Sequence, residues 1–292
     1  MSRIRLASAP VSWGILEFEG VQPRYRYERV LDEIAETGYE GTELGPYGYL
    51  PTDPAQLKAK LDRRGLTLLS AFVPVDLARP GASLDGALEV GRLLAGVGAK
   101  FVVLADDNGK VPELVAQAGR RRGSWLKDWK TVAANVRAVC DAMRELELDV
   151  VFHHHCAGCV ETPEETQALL EHTDISLCLD TGHWHYAGGD AVECLRTYGS
   201  RVAYLHFKDC DPESARRCRA EGLDYFAAVR AGVFCPLGQG EVDFPALIAE
   251  LERSGYEGWA VVEQDILGDD GDDDAPRRFS RANRDYLAGL GL

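Results

Sequence analysis

Short apolar runs that stop abruptly on acids and imidazoles, each separated from the next by a helical pattern, leave this chain very few folds to adopt. The clearest is Leu177-Cys178-Leu179-Asp180-Thr181-Gly182-His183, an apolar strand ending on a carboxylate, a glycine turn and a histidine. Taken alone, it reads equally well as a buried strand with a capping Asp180 and surface histidines. The pattern recurs, however. Apolar stretches stand at residues 4–9, 41–44, 67–72, 100–107, 149–155, 176–180, 201–207 and 258–263. Apolar residues at helical spacing fill the intervals, at 25–37, 54–64, 85–96, 125–146, 244–254 and 276–290, with Gly38, Gly65 and Gly255 as stops. Thr162 and Pro163 read as the N-cap and first residue of a further helix. Strands alternating with helices through short connections favour a parallel sheet. Eight strands in this rhythm make a single (β/α)8 TIM barrel the economical fold, an α/β domain over residues 1–292, close to the roughly 250 residues typical of that barrel.

Two stretches interrupt the rhythm. Residues 108–124, with Arg120, Arg121 and Arg122, read as a long loop or lid over the barrel mouth, its arginines a solvated basic turn. Residues 268–275 form an acidic run without the spaced ligands of a calcium loop and read as solvated. A net charge of −15 argues against a partner that is nucleic acid or an anionic membrane and leaves a small polar substrate open. No apolar run approaches the roughly 20 residues needed to span a bilayer, and the chain enters its first strand almost at once, so a cytoplasmic protein is expected. The cysteines, all between Cys140 and Cys235, are too scattered for a disulfide framework and read as reduced thiols. Cys156-Ala157-Gly158-Cys159 lacks a partner pair and is taken as chance thiols. A homo-oligomer is open.

The last four strands carry the chemistry. They end on His153-His154-His155, on Asp180 with His183, on His206-Phe207-Lys208-Asp209, and on Glu263-Gln264-Asp265. In a barrel these ends converge on one mouth. One or two imidazoles with two carboxylates, each on a separate rigid strand, suit a divalent ion such as Mn2+, Co2+ or Mg2+ with positions open for substrate oxygens. Side chains alternate along a strand, so His153 and His155 face inward together while His154 points to the helices. His206 and Lys208 share a face, which places a metal-competent imidazole beside a lysine. Burial and a nearby cation would lower that lysine's pKa and make it a proton carrier.

These residues resemble the xylose-isomerase-like barrel superfamily and, within it, the inosose dehydratase family. The matching segments run nearly from end to end. They include Ala9-Pro10-Val11-Ser12-Trp13-Gly14, His153-His154-His155, Leu179-Asp180-Thr181-Gly182-His183 with Ala187-Gly188-Gly189-Asp190, Leu205-His206-Phe207-Lys208-Asp209, Pro236 to Gly240, and Val262-Glu263-Gln264-Asp265. The resemblance implies one divalent ion held from strands five to eight by His153, Asp180, His206 and Glu263. His153 stands where the superfamily carries glutamate, and His155 is the nearest alternative. It further implies a metal-assisted elimination of water from a cyclic keto-polyol, inosose or a near relative, in inositol catabolism. The ion would be Mn2+ or Co2+, with Mg2+ or Zn2+ admissible; participation of a thiol such as glutathione is left open. His155, His183 and Lys208 are the candidate acids and bases, unranked. Trp13 and Glu43 are expected to cover a sugar face and bind hydroxyls respectively. A keto-sugar isomerase or epimerase needs the same metal and is the alternative.

Overall fold

The computed structural model describes residues 4–16, 23–107, 109–267 and 271–292. Its parallel strands are β1 (Ile4–Ser8), β2 (Gly41–Thr42), β3 (Thr67–Leu68), β4 (Phe72–Val75), β5 (Phe101–Asp106), β6 (Asp149–His153), β7 (Ser176–Asp180) and β8 (Val202–Phe207). A two-stranded antiparallel ribbon follows, β9 (Asp209–Cys210) and β10 (Phe234–Cys235), and β11 (Gly258–Val262) completes the main sheet. The main sheet runs β3-β2-β1-β11-β8-β7-β6-β5-β4. Its two outermost strands, β3 and β4, are halves of one stretch that was expected as a single strand over 67–72. The three residues joining them close the barrel. Leu69 N–H donates to Thr42 and Leu44 N–H to Ser70 on one side, both at 3.0 Å; Phe101 and Val103 donate to Leu69 and Ala71 at 3.2 and 3.0 Å on the other. The stretch splits because it passes its hydrogen bonds from one neighbour to the next, and counted as one stave it makes eight.

Period-two alternation sorts the side chains into two cores. Ala7, Leu69, Val103, Val151, Cys178, Tyr204 and Val261 point inward and pack together inside the barrel. Phe152, Leu177, Leu179, Leu205, Phe207, Ala260 and Val262 point outward into the larger core beneath the helices. The consequence for the site is direct: two residues past Val151, Cys178, Tyr204 and Val261 stand His153, Asp180, His206 and Glu263.

Helix starts follow local chemistry. Asp53, Asp190, Asp211, Asp224 and Asp243 each accept from a backbone amide three residues on. Thr162 caps helix Pro163–His172, as the sequence predicts, and forms a reciprocal capping box with Glu165.

The connection between β9 and β10 was not foreseen. It carries helices Pro212–Glu221 and Tyr225–Arg230, and its Cys210, Tyr225, Val229 and Phe234 form a satellite core with Val115, Ala118 and Tyr186. Residues 108–124 correct the expected basic loop; Asn108 lies outside the described residues. Pro112–Gln117 is helical, and Arg121 is buried, with Nη2 2.7 Å from Glu165 and 2.9 Å from the Gly158 carbonyl. In the acidic run, Gly268, Asp269 and Asp270 lie outside the described residues. Asp272 and Asp273 are not simply solvated, since they pair with Arg278 and Arg24. The cysteines are free. No helix among the described residues is long and apolar enough to cross a membrane.

Candidate active site

Four strand ends meet at the barrel mouth. Asp180 is the junction, and its two oxygens have different tasks. Oδ1 accepts from the backbone N–H of His183 at 2.8 Å and caps the short helix Thr181–Tyr186, while Oδ2 faces the interior. His153 Nε2 stands 3.5 Å and His206 Nδ1 3.8 Å from Oδ2; Glu263 Oε2 lies 3.2 Å from His206 Nδ1. The far nitrogen of each imidazole is held. His153 Nδ1 lies 3.0 Å from the His154 carbonyl, so it carries the hydrogen and Nε2 presents its lone pair. His206 Nε2 lies 2.9 Å from Glu43 Oε1, which also accepts from Ser70 Oγ at 2.9 Å. With hydrogen on Nε2, His206 presents Nδ1 to the two carboxylates.

Such a set fits a cation. Asp180 Oδ2 and His206 Nδ1 are buried, and with His153 Nε2 they lie within 4.8 Å of one another. Lone pairs brought together in a dry cavity repel unless a positive charge joins them. Lys208 supplies one: its Nζ is 2.9 Å from Asp180, 3.2 Å from Glu263 and 2.8 Å from Asp265. Lys208 and His206 together face the carboxylates of Asp180, Glu263, Asp265 and Glu43, a surplus of negative charge that a divalent ion would fill.

The same charges set protonation. Burial opposes ionisation of Asp180, but the Lys208 ammonium and the His183 ring hold its carboxyl well below the usual range. Glu263 is likewise buried, yet His206 and Lys208 bring it down to about 2. The carboxylate neighbours of the lysine act against the lowering that burial brings. Burial does pull Lys208 down, but Asp180, Asp265 and Glu263 outweigh it and raise it well above its ordinary value. His155 and His183 go the other way, pushed well below neutral by burial and then by neighbouring positive groups. His155 Nδ1 stands 2.6 Å from the Cys156 carbonyl, which leaves Nε2 as the ring's lone-pair nitrogen.

His153, His155, His206, Lys208, Glu43 and Glu263 all line one cavity, with Pro10, Leu16, Phe72 and Pro74 as its apolar walls. His183 stands behind His155, ring centroids 4.0 Å apart, with Nε2 3.5 Å from Asp265 Oδ2. His154 turns outward as expected, edge-on to Trp184 at 4.8 Å, and accepts from the Asp180 amide at 3.3 Å. Trp13 is a correction. Its indole is 1% exposed in the main core, outside this cavity, and its Nε1–H donates to Glu33 at 2.6 Å. A large ring gains more from burial against helix Tyr27–Thr37, whose Glu33 satisfies its N–H, than from the barrel mouth.

Phe72, Asp265 and Tyr225 also border the cavity, without a role expected from the sequence. Phe72 sets its edge near His153 and His155, at 5.9 and 5.8 Å between centroids. Asp265, two residues beyond Glu263 and on the same face, was legible by alternation. Tyr225, whose hydroxyl donates to Asp265 Oδ2 at 3.0 Å, comes from the β9–β10 connection and had no sequence signal.

The xylose isomerase-like TIM barrel family model matches residues 31–282. An inosose dehydratase of Geobacillus kaustophilus is 32% identical over 268 residues, which cover 89% of this chain and 86% of that one. The rhizopine catabolism protein MocC of Rhizobium meliloti is 33% identical over 271 residues, covering 89% and 81%. Among solved structures, the IOLI protein with a bound zinc atom shares the fold, with a TM-score of 0.70 at 15% identity and 98% of each chain covered. The chain belongs to the xylose isomerase-like TIM barrel family and, within it, to the inosose dehydratase family.

Proposed function

We propose that this protein is a hydro-lyase of inositol catabolism that removes water from inosose (2-keto-myo-inositol) or a closely related cyclic keto-polyol, with a divalent ion at His153, Asp180, His206 and Glu263. The observation that carries the reading is the convergence of the His153, Asp180, His206 and Glu263 side chains beside a cavity that His155 and Lys208 also line. A bound divalent ion would supply Lewis acidity, sharpening the acidity of a C–H beside a carbonyl and stabilising the charge its loss leaves. Mn2+ or Co2+ suits a mixed imidazole and carboxylate set, with Mg2+ or Zn2+ admissible.

The chain's own groups divide the remaining work. His155 Nε2 accepts the α proton, and the Cys156 carbonyl keeps the ring in the tautomer that allows it. His183 stands behind His155 as the next proton acceptor. Lys208 keeps its proton and offers its charge to a substrate oxygen. Glu43 orients His206 and also borders the cavity, where its carboxylate can take substrate hydroxyls. Pro10, Leu16 and Phe72 give the C–H face of a polyol ring an apolar wall that keeps water out.

Incubation of metal-loaded protein with inosose should produce the conjugated absorbance of the dehydrated dione. Asp180→Ala or Glu263→Ala should lower that rate by more than about 100-fold, as expected when a group holding a metal is lost. Epimerised ketose without dione would show instead that the α proton is returned and hydroxide retained, the behaviour of an epimerase.

A further inference from the structure

Elimination of water needs a second proton transfer. The departing hydroxyl must be protonated, and the residues described so far serve that step poorly. His155 is already assigned the α proton, and His183 stands behind it, ring centroids 4.0 Å apart, without bordering the cavity. Lys208 directs its ammonium at three carboxylates, all within 3.2 Å. One further O–H borders the cavity from outside the barrel strands. Tyr225 begins a helix of the β9–β10 connection, is 1% exposed, and reaches over the mouth to within 5.4 Å of the His155 ring, centroid to centroid.

We propose that Tyr225 is the catalytic acid that protonates the leaving hydroxyl. The assignment rests on the dehydratase reading and sharpens it. His155 takes the α proton first, leaving the C–H electron pair delocalised onto the ketone oxygen as an enolate; that pair then forms the new C=C bond as the β C–O pair leaves with oxygen. Tyr225 gives its proton to that oxygen, and water departs. The proton held by the base then returns to the phenolate, so atoms and charge balance without another reactant. Asp265 Oδ2, 3.0 Å from the phenol oxygen, orients the hydroxyl, which turns about its C–O bond to meet a substrate oxygen. Burial and the Asp265 carboxylate raise the phenol well above its ordinary pKa, so it stays protonated at neutral pH.

The test compares wild type with Tyr225→Phe, both metal-loaded, in D2O. The variant should dehydrate inosose about 100-fold more slowly, within the range for loss of a general acid, with KM little changed. It should still exchange the α hydrogen of inosose for deuterium, because the base is untouched. An analogue carrying fluorine in place of the leaving hydroxyl should be eliminated by the variant at close to the wild-type rate, since fluoride leaves without a proton. Exchange, fluoride loss and dehydration falling together would assign Tyr225 a structural role and overturn the proposal, as would an undiminished dehydration rate. A wild type that exchanges or epimerises inosose but forms no dione would overturn the dehydratase reading itself, and Tyr225 as acid with it.

Discussion

Asp180 shows how one residue serves two readings that compete in the sequence. It is a helix cap through Oδ1 and part of the candidate metal site through Oδ2, and neither task displaces the other. His154 shows the converse: an imidazole within the histidine run that contributes only structure. Burial lowers its pKa from 6.5 to about 3, with His153 adding to the effect. The folded state therefore favours the neutral ring. That contribution is complete above the unfolded pKa of 6.5 and is lost progressively as pH falls toward 3. Linkage sets the loss at up to about 1.4 kcal/mol per pH unit. His154→Gln keeps an acceptor for the Asp180 amide and removes the titration. Urea unfolding between pH 6.5 and 4.5 should then show a shallower loss of stability than in wild type, whereas equal slopes would mean that His154 does not stay neutral.

At the scale of elements, loops at the mouth are held by carboxylates that accept backbone amides. Asp209 at the start of β9 takes Cys210 N–H at 2.9 Å, Gly238 at 2.8 Å, Gly240 at 3.0 Å and Val242 at 3.1 Å, and so pins the segment that returns from β10 to helix Phe244–Ser254. A Cβ at Gly240 would come within 2.3 Å of Asp209 Oδ1, which explains the glycine. Gly182 is constrained in the same way, since a Cβ there would meet Lys208 Cγ at 2.6 Å. Asp209→Ala leaves several buried amides without an acceptor. It should lower unfolding free energy by about 2–4 kcal/mol and open residues 236–243 to limited proteolysis; a variant as stable and as resistant as wild type would refute the anchoring role.

For the whole molecule, the barrel brings acid and imidazole from four strands into a volume that cannot be dry and uncompensated. A net charge of −15 adds to the demand for a cation without deciding where it sits. We propose that it sits among His153, Asp180, His206 and Glu263. Exhaustive chelation should abolish dehydratase activity, and Mn2+ or Co2+ should restore it. Mass action adds about 2.7 kcal/mol of stability at a free ion concentration 100 times Kd, so the melting temperature should rise with ion concentration. Asp180→Ala should show no such rise. A wild type whose melting is indifferent to every divalent ion would argue against the metal site.

Strand and helix alternation, barrel class and the four strand-end residues were legible in the chain, because period-two patterning is local and each inward site residue follows an inward apolar one by two positions. His153 over His154, the cap at Thr162 and the inward pairing of His206 with Lys208 follow from the same periodicity. What depends on residues far apart in sequence was not. Trp13 lies in the core because Glu33 awaits its N–H; Arg121 is buried because Glu165 and a carbonyl receive it; Lys208 stays charged because three carboxylates from two other strands surround it. Tyr225 reaches the cavity only because the β9–β10 connection folds back over the mouth. Local periodicity determined which residues face the barrel interior; their protonation and their neighbours came from contacts that form only when the barrel closes.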